Sequence, residues 1–524
     1  MIAGVDPGDL AGISVSSTGD VNGDGIDDII VGANNADPNN DSNAGESYVV
    51  FGNATGFTAN FELSALNGNN GFVIEGVNSG DLSGSSVSSA GDVNGDGIDD
   101  LIIGANNADP NNDSNAGSSY VVFGNATGFT ANVELSGLNG NNGFVIEGVD
   151  SGDRSGFSVS SAGDVNGDGI DDLIIGANNA DPNNNSNAGE SYIVFGNNTG
   201  FENQLELSTL DGNNGFVIQG IGSNDYSGSS VSSAGDLNGD GIDDLIIGTD
   251  NTNPNSNAGT SFVVFGNANG FNSEFELNSL NGTNGFAING VDADGNSDIS
   301  VSSAGDINGD LIDDLIIGVS AADPSGRNNA GQSFVVFGNA DGFTAELELT
   351  SLNGTNGFVI NGVDAEDFAG LSVSGAGDLN GDGVDDLIIG SDNADPNNNS
   401  NAGESYVVFG IRTRPEITTT NTASILENTT TVIDIATTDN EDTEGAGLIY
   451  AIAGGEDQNL FSIDSTSGTL TFLVAPDFEN PEDQGADNNY QVQVQVTDSD
   501  GLSCLLYTSP SPRDLSTSRM PSSA

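Results

Sequence analysis

Short runs of apolar or small residues, separated by turn-forming residues, repeat along most of the chain. In one unit they lie at residues 72–77, 86–90, 101–105 and 120–124, where the sequence reads Phe-Val-Ile-Glu-Gly-Val, Ser-Val-Ser-Ser-Ala, Leu-Ile-Ile-Gly-Ala and Tyr-Val-Val-Phe-Gly. Runs of this length, rich in β-branched and aromatic residues, are typical of strands. Gly, Asn, Asp and Ser fill the segments between them, as in turns. Each unit is therefore predicted to fold into four short strands, without a helix.

An acidic stretch, Asp-Val-Asn-Gly-Asp-Gly-Ile-Asp-Asp-Ile, lies between the second and third runs of each unit. It begins at Asp20, and five near copies follow at steps of 72 residues, except for one step of 70. So regular a period is the signature of a repeat architecture, and four strands in each of six units favour a β-propeller. A β-solenoid is the alternative, but its coils take about 20–30 residues, so each unit would need several different coils.

The repeats cover residues 1–411, and their two ends indicate how a ring would close. After its run at 406–409, the last unit has no Phe-Val-Ile segment, whereas residues 2–5 align with residues 74–77. We expect the N-terminal strand to complete the last blade and so to cover the sheet edges. The predicted fold is all-β, with a propeller of six blades, or seven if N-terminal sequence has been lost.

The charge of the chain limits its partners. The chain has six Lys and Arg residues and 78 Asp and Glu residues, a formal net charge of −72. Phosphate backbones need cationic partners, so nucleic-acid binding is excluded. An anionic membrane surface would repel the chain unless a divalent cation bridges the two. A charge of this size favours a saline, extracellular setting, in which salt screens it.

The scarcity of two residue types limits the chemistry. The chain has no His and one Cys, Cys504. Catalysis by a Ser-His or Cys-His pair, a His/Cys zinc site and a disulfide within the chain are therefore excluded. No run of 18 or more apolar residues occurs, so the sequence predicts no transmembrane segment. We expect a binding or structural protein without catalytic residues.

The acidic stretch has the composition of a calcium loop. It offers Asp, Asn and Asp side chains at positions 1, 3 and 5, a backbone carbonyl at position 7 and a carboxylate at position 9, and Ca²⁺ takes six to eight such oxygens. Gly at position 6 allows a positive φ between the ligands. The alternative is a plain Asp/Asn/Gly turn, but carboxylates converging without a cation would repel one another. Six copies favour the metal.

The predicted calcium ligands occupy positions 1, 3, 5, 7 and 9 of the six loops: Asp20, Asn22, Asp24, Ile26 and Asp28; Asp92, Asn94, Asp96, Ile98 and Asp100; Asp164, Asn166, Asp168, Ile170 and Asp172; Asp236, Asn238, Asp240, Ile242 and Asp244; Asp306, Asn308, Asp310, Ile312 and Asp314; Asp378, Asn380, Asp382, Val384 and Asp386.

Other positions in and near these loops are expected to have different roles. Position 8 is also Asp, for example Asp99, and is expected either to face solvent or to bind a neighbouring backbone N–H. The fifth loop has Leu311 where the others have Gly. A Leu with positive φ costs about 1–2 kcal/mol, so this site is predicted to be the weakest or to be distorted. The polar loop at residues 34–46 is expected to be exposed to solvent, with a second metal site as the alternative.

Three recurring segments carry a resemblance to a known family. The runs Ile-Val-Gly-Ala at 30–33 and Val-Phe-Gly at 50–52, together with the loop at 20–28, resemble the FG-GAP repeat of the integrin α-chain propeller and of related bacterial proteins. The family's Gly-Ala-Pro is Gly-Ala-Asn at Gly32. Integrin α-chains have seven blades with calcium loops in only some, whereas every unit here has a loop. The resemblance implies a calcium-binding β-propeller over residues 1–411.

Residues 415–503 resemble a different family, the cadherin repeat, which implies an immunoglobulin-like β-sandwich. The segments Ile-Leu-Glu-Asn at 425–428 and Asp-Phe-Glu-Asn-Pro at 477–481 carry the likeness, and residues 490–496 alternate as a half-buried strand should. The family's final strand is expected to be absent. Residues 504–524 match neither domain and are interpreted as a non-native tail, read through from cloning or adapter DNA. Five acidic residues match cadherin calcium positions: Glu427, Asp477, Glu479, Asp498 and Asp500.

These features predict a calcium-stabilised adhesion or recognition protein, secreted or on the cell surface. Its expected cofactor is Ca²⁺, and its expected partner is an extracellular protein or glycan. Two alternatives stay open: a structural matrix or surface-layer protein, and the non-catalytic part of an extracellular hydrolase. Fold resemblance alone does not separate them.

Overall fold

The computed structural model describes residues 2–57, 59–250, 259–290, 299–411, 415–439, 443, 445–498 and 503–513. The chain divides into two compact units. The first comprises Met1–Ile307 and Ile312–Phe409, and the second comprises Asn308–Leu311 and Gly410–Ala524. The described residues form strands and three-residue 3-10 helices, and they contain no α-helix. The all-β prediction is confirmed.

The first unit consists of six blades, numbered here in chain order, and each begins with an inner strand made mostly of small residues. The inner strands are Ser14–Gly19, Ser86–Gly91, Ser158–Gly163, Ser230–Gly235, Ile299–Gly305 and Ser372–Gly377. The second strands are Asp28–Ala33, Asp100–Ala105, Asp172–Ala177, Asp244–Thr249, Asp314–Val319 and Asp386–Ser391. The third strands are Glu46–Val50, Ser118–Val122, Glu190–Val194, Thr260–Val264, Gln332–Val336 and Glu404–Val408.

Further strands lie at the outside of the blades. The fourth strands are Gly71–Glu75, Gly143–Glu147, Gly215–Gln219, Gly285–Asn289 and Gly357–Asn361. The connector strands are Phe61–Glu62, Asn132–Glu134, Gln204–Glu206, Glu274–Glu276 and Glu346–Glu348. The 3-10 helices of this unit are Pro38–Asn40, Leu63–Ala65, Pro110–Asn112, Leu135–Gly137, Pro182–Asn184, Leu207–Thr209, Leu277–Ser279, Pro324–Gly326, Leu349–Ser351 and Pro396–Asn398.

The strands of a blade pair antiparallel from the inside outward. In blades 1 to 4, the connector strand of the following unit then joins the fourth strand in parallel, so these sheets have five strands. In every blade a bulge interrupts the pairing near the end of the inner strand, as between Ser89 and Gly91. Gly91 has φ +69°, a conformation that glycine adopts without strain. The bulge therefore leads the chain directly from the inner strand into the acidic loop.

The N-terminal strand, Ile2–Ala3, takes the register of a fourth strand but does not complete the last blade. Ile2 pairs with Phe61 as Ile74 pairs with Val133, an offset of 59 residues in both cases (61 − 2 and 133 − 74). Among the described residues, however, blade 6 has only three strands and the N-terminal strand pairs with the connector strand alone. The expected closure of the ring by this strand is therefore not seen, although its alignment with residues 74–77 is correct.

Each blade is packed between neighbours, except at the two ends of the series. Neighbouring inner strands pack together from blade 1 to blade 6, and no comparable packing joins blade 6 to blade 1 in the described part of the chain. Val15 of blade 1 is 65% exposed, whereas its equivalent Val87 is 4% exposed. Val407 of blade 6 is 45% exposed and its equivalent Val335 is fully buried. The interior blades thus owe their burial to the blades on either side.

The cores of this unit lie between the blades. Ile30 and Phe72 of blade 1 pack in one cluster with Leu101 and Ile103 of blade 2. Phe129, from the connector of the second repeat, stacks on Phe72 with the ring centroids 4.1 Å apart. The same pair of rings recurs in blades 2, 3 and 4. A single repeat cannot bury its apolar faces alone, which is why the period is maintained over so many copies.

The second unit is a small β-sandwich with its own core. One sheet has the order Thr422–Leu426, Ser503–Arg513, Val492–Thr497, Ile449–Gly454, and the other Thr431–Asp434, Thr469–Phe472, Phe461–Ile463. A two-stranded ribbon pairs Glu416–Ile417 with Thr437–Thr438, and a 3-10 helix spans Gln458–Leu460. Tyr450, Tyr490, Phe461 and Phe472 are among the buried residues between the sheets. The prediction of a sandwich is confirmed.

The expectation that this sandwich lacks its final strand is wrong. Ser503–Arg513 forms an 11-residue strand that pairs with Val492–Thr497 on one side and Thr422–Leu426 on the other. Cys504 and Leu506 turn toward the core, while Leu505 and Tyr507 are exposed. This alternation suits a half-buried strand whatever the origin of the sequence. The foreign origin of residues 504–524 stays a prediction.

Close packing between blades makes one prediction about glycine. A Cβ on Gly104, in the second strand of blade 2, would overlap the carbonyl oxygen of Gly156 in blade 3. At the equivalent Gly390 of blade 6, the nearest atom to such a Cβ is 3.5 Å away, within the same blade. We expect Gly104→Ala to destabilise the first unit by about 2 kcal/mol or more, and Gly390→Ala by far less. Denaturant unfolding of the two variants measures the difference, and equal losses would show that contact between blades is not the cause.

Candidate metal centres

Each acidic loop joins the bulged end of an inner strand to the start of the second strand. In blade 2, position 1 (Asp92) follows the bulge, and position 9 (Asp100) is the first residue of the second strand. The second strand that follows is buried throughout. The loop therefore lies at the entrance to the most buried strand of the blade, as the sequence predicted, and all six loops occupy this place.

Position 1 folds the loop by accepting backbone hydrogen bonds. The carboxylate of Asp92 accepts the N–H of Asp96 at 3.0 Å and that of Gly97 at 2.7 Å. Asp96 in turn accepts the N–H of Ile98 at 3.1 Å. The same bonds are made in the loops that begin at Asp20, Asp164, Asp236 and Asp378. The Asp residues at positions 1 and 5 thus stabilise the turn even before any cation is considered.

Position 9 is a buried carboxylate. Asp100 is fully buried and accepts the N–H of Gly124 at 2.8 Å, and the side-chain amide of Asn94 lies 3.1 Å from it. Burial raises the pKa of Asp100 to about 8; the bond from Gly124 opposes this rise, and Asp96 and Asp92 add to it. The pKa values of Asp172 and Asp244 are raised to about 8 for the same reasons, and that of Asp28 to about 6.

The chemistry of these side chains suits a hard divalent cation. Positions 1, 3, 5 and 9 offer only carboxylate and amide oxygens, the atoms that Ca²⁺ prefers. Burial and two neighbouring carboxylates disfavour the charged form of such a group, and a bound cation would reverse that preference. To bind such a cation through its oxygen, Asn94 would have to rotate its side-chain amide by half a turn, because its nitrogen now donates to Asp100. The orientation of an amide follows its hydrogen-bond partners, so a bound cation would favour the rotated form.

The loops are not preorganised as tight carboxylate clusters. Of the residues that the structure describes, the one set of three acidic side chains with ligand atoms within 4.8 Å of one another is Glu427, Asp477 and Glu479. In the loops, the position 1 carboxylate is engaged with backbone N–H groups instead. The assignment of the thirty loop residues as calcium ligands therefore stays a prediction, in which binding would draw the carboxylates closer together.

The acidic residues predicted for the sandwich come together in part. Glu427 is buried and accepts the N–H of Phe478 at 3.2 Å, while Asp477 and Glu479 are exposed beside it. Asp498 is buried, and Asp500 lies outside the described residues. Three of the five positions thus form a cluster from two segments that are about fifty residues apart in the chain.

The polar loop at residues 34–46 is organised by its own backbone. Asp37 accepts the N–H of Asn43 at 2.7 Å, and Asp109 and Asp181 make the same bond in the next two units. No group of three acidic ligand atoms is found there within the described chain. Residues 39–43 of this loop are exposed, as expected, and the alternative of a second metal site stays a prediction.

Position 8 has a role that the sequence analysis left open. Asp99 does not face solvent; its Oδ2 accepts the N–H of Asp20, position 1 of the loop in the preceding blade, at 2.8 Å. The same bond, at 2.8 to 3.0 Å, joins four further pairs: Asp171 with Asp92, Asp243 with Asp164, Asp313 with Asp236, and Asp385 with Asp306. The recurrence of Asp at a position without a metal role was the available signal, but it did not reveal the partner.

Two family descriptions match the chain. The "FG-GAP repeat" matches residues 11–50, 83–122, 155–194, 227–264 and 369–408, and the "Cadherin domain" matches residues 421–508. The chain is an FG-GAP repeat protein with a cadherin domain. The fifth unit of this FG-GAP repeat protein, whose loop carries Leu311, is not among the matched segments, although it forms the same strands.

The relatives of this FG-GAP protein include integrin α-chains. Integrin alpha pat-2 of Caenorhabditis elegans is 29% identical over 255 residues, 46% of this chain and 18% of its own length. Integrin alpha-5 of Xenopus laevis is 28% identical over 242 residues, 45% and 20%. Phosphatidylinositol-glycan-specific phospholipase D of Bos taurus is 27% identical over 223 residues, 42% and 24%. The matched region thus covers about a quarter or less of each relative.

A solved structure, that of mouse clustered PcdhgC3 EC1-3, is 15% identical and covers 25% of this chain and 42% of its own, with a TM-score of 0.16. At that score the likeness carries no argument about the fold. In the described part of the chain, no helix is long and apolar enough to span a bilayer.

The fifth loop supplies a test of backbone strain. Leu311 has φ +66° and is 83% exposed, so the predicted positive φ is confirmed and little burial compensates for it. We expect Leu311→Gly to stabilise the protein by about 1 kcal/mol, and the reverse change in loop 2, Gly97→Leu, to destabilise it by about 1–2 kcal/mol. A Cβ on Gly97 would meet no atom within 4 Å, so strain and not a clash is tested. Denaturant unfolding is the measurement, and a Leu311→Gly variant that is no more stable would refute the strain.

Proposed function

We propose that this FG-GAP protein is a calcium-binding adhesion or recognition protein that acts outside the cell. The observation that carries the proposal is an acidic loop at the same place in every blade, with oxygen-bearing side chains at positions 1, 3, 5 and 9 and with the position 9 carboxylate fully buried or nearly so. The matches to integrin α-chains and to the cadherin domain support the same reading.

Calcium would act on the stiffness of the propeller. An ion held by positions 1, 3, 5, 7 and 9 would link the end of the inner strand to the start of the second strand, both of which lie against neighbouring blades. Extracellular modules bind calcium at about 0.1–1 mM. At a free concentration ten times the dissociation constant, each site adds ~1.4 kcal/mol, so six sites would add ~8 kcal/mol. That is comparable to the stability of a whole domain.

The face of such a propeller then binds an extracellular protein or a glycan, and the cadherin domain serves as a spacer or as a second adhesion module. The charge of −72 agrees with this setting, because six calcium ions contribute only 12 positive charges (6 × 2) and the rest must be screened by salt. The net charge would also repel other acidic molecules at low salt, which makes calcium or salt a condition for contact.

The similarity to a phospholipase D supports the alternative that the repeats belong to a hydrolase. On that alternative the repeats are the non-catalytic part of an enzyme, and the fragment binds substrate or membrane without cleaving it. On the matrix alternative, calcium causes copies of the chain to assemble without any other ligand. Both differ from the adhesion proposal in what the calcium-loaded chain binds.

Removing calcium tests the role of the loops. We expect a chelator to lower the melting temperature of the first unit sharply, because up to ~8 kcal/mol of binding energy is withdrawn from the folded state. Differential scanning calorimetry in 1 mM Ca²⁺ and in excess chelator measures the shift. Mg²⁺ at the same concentration is the control, since its smaller octahedral shell suits this loop less well. An unchanged melt in chelator would refute the calcium role.

Binding assays with the intact chain test the adhesion role. We expect the immobilised chain to bind one or a few members of an array of extracellular matrix proteins and glycans in Ca²⁺, and to lose them in chelator. Light scattering of the free chain under the same conditions tests self-assembly, and phospholipid vesicles test the membrane alternative. Assembly without any ligand would favour the matrix protein, and vesicle binding without array binding would favour the hydrolase fragment.

A further inference from the structure

The hydrogen bond made by position 8 joins two loops that lie in different blades. Asp99 is directly followed by Asp100, the buried carboxylate of loop 2, and its partner Asp20 is the first residue of loop 1. The two residues are 79 positions apart in the chain. Five such bonds link the six loops into one series, each from position 8 of one loop to the backbone of position 1 in the loop before it.

The surroundings of this bond are shaped to receive a carboxylate. Gly19 precedes Asp20 with φ +64°, and a Cβ at that position would overlap the carboxylate of Asp99. Gly91, Gly163, Gly235 and Gly305 stand in the same relation to the next four position 8 residues. At two of the five junctions a backbone hydrogen bond reinforces this contact. The N–H of Asp243 donates to the carbonyl of Asp164 at 3.3 Å, and the N–H of Asp385 donates to the carbonyl of Asp306 at 3.1 Å.

At each end of the series one loop residue has no counterpart for this bond in the described structure: position 8 in loop 1, and position 1 in loop 6. Asp27, position 8 of loop 1, is exposed and holds no loop of another blade in the described structure. At the other end, a Cβ on Gly377, which precedes loop 6, would meet no atom within 4 Å. The chain therefore carries its own matched comparison, the same residue type in the same loop position with and without the bond between blades.

We infer that the position 8 aspartates couple neighbouring loops, so that ordering one loop around a cation strengthens cation binding in the loop before it. Asp99 holds Asp20 in place only when loop 2 is itself ordered, because Asp99 lies between two predicted calcium ligands of that loop, Ile98 and Asp100. Asp20 offers both its backbone N–H to Asp99 and its carboxylate to loop 1. The position 8 residues are positioning residues, and the inference rests on the calcium binding proposed above.

The consequence is a row of coupled sites along the series. Loops 1 to 5 each receive a bond from the loop that follows, whereas loop 6 receives none. Binding free energies are reciprocal, so calcium in loop 1 also favours calcium in loop 2. The intact chain is therefore expected to load its loops cooperatively. The two end loops, 1 and 6, are the least assisted because each has only one coupled neighbour, and Leu311 makes loop 5 a weak point in the series.

Hydrogen exchange measured by mass spectrometry, at increasing Ca²⁺ concentration, tests the coupling loop by loop in the intact chain. Peptides that contain loop 1 are distinguished by Thr18, and those that contain loop 4 by Leu237 together with Ile242, so each reports on its own site. In Asp99→Ala we expect the Ca²⁺ concentration for half-protection of loop 1 to rise about fivefold or more, with loop 4 little changed. In the matched Asp27→Ala variant, no other loop is expected to shift.

Asp99→Asn separates the coupling from general loss of structure. It keeps an oxygen that accepts the N–H of Asp20, so we expect a shift of loop 1 between those of the unaltered chain and Asp99→Ala. If the midpoint of loop 1 in Asp99→Ala moves no more than that of loop 4, the bond is merely structural and the inference is wrong. If no loop of the unaltered chain responds to Ca²⁺, the proposed function itself fails and the inference fails with it.

Discussion

Every blade of this propeller depends on the next one for its burial. The inner strands are made mostly of small residues and pack against one another. The second strands also approach the next blade so closely that a methyl group on Gly104 would overlap its backbone. The aromatic cores follow the same rule, because Phe129 of one unit stacks on Phe72 of the blade before it. Where a neighbour is missing, at Val15 and Val407, apolar side chains are exposed. Stability in this unit belongs to the junctions between blades as much as to the blades themselves.

The acidic loops lie at these junctions, which ties their chemistry to the architecture. In each loop a carboxylate at position 1 organises the turn, and a carboxylate at position 9 is buried at the head of the second strand. Burial raises the pKa of Asp100 against the usual preference of a carboxylate for the charged state. An environment of that kind is unfavourable for an unpaired charge and favourable for one shared with a cation. The same loops therefore serve folding and contact between blades, and they are the loops in which we propose metal binding.

Most of the local structure of this FG-GAP protein could be predicted from short stretches of sequence. The run at 101–105 becomes the strand Asp100–Ala105, and the alternation at 490–496 becomes the buried strand of the sandwich. The positive φ of Leu311 followed from a Leu standing where Gly stands in the other loops. The connector strand Asn132–Glu134 was missed, because a three-residue strand has too little pattern of its own and forms only by pairing with residues 59 positions earlier. The strand Ser503–Arg513 was missed because residues 504–524 were interpreted as a foreign tail, although the cadherin match extends to residue 508.

The sequence by itself determined the period, the strands, the turns and the composition of the acidic loops, since all of these depend on residues that are close together in the chain. Only the tertiary structure decided which groups meet across a junction. It showed that Asp99 bonds to Asp20 and does not face solvent, and that Ile2–Ala3 pairs with Phe61–Glu62 and not with blade 6. These outcomes depend on how one blade is set against the next. That geometry comes from the packing of whole sheets, which no single stretch of residues encodes.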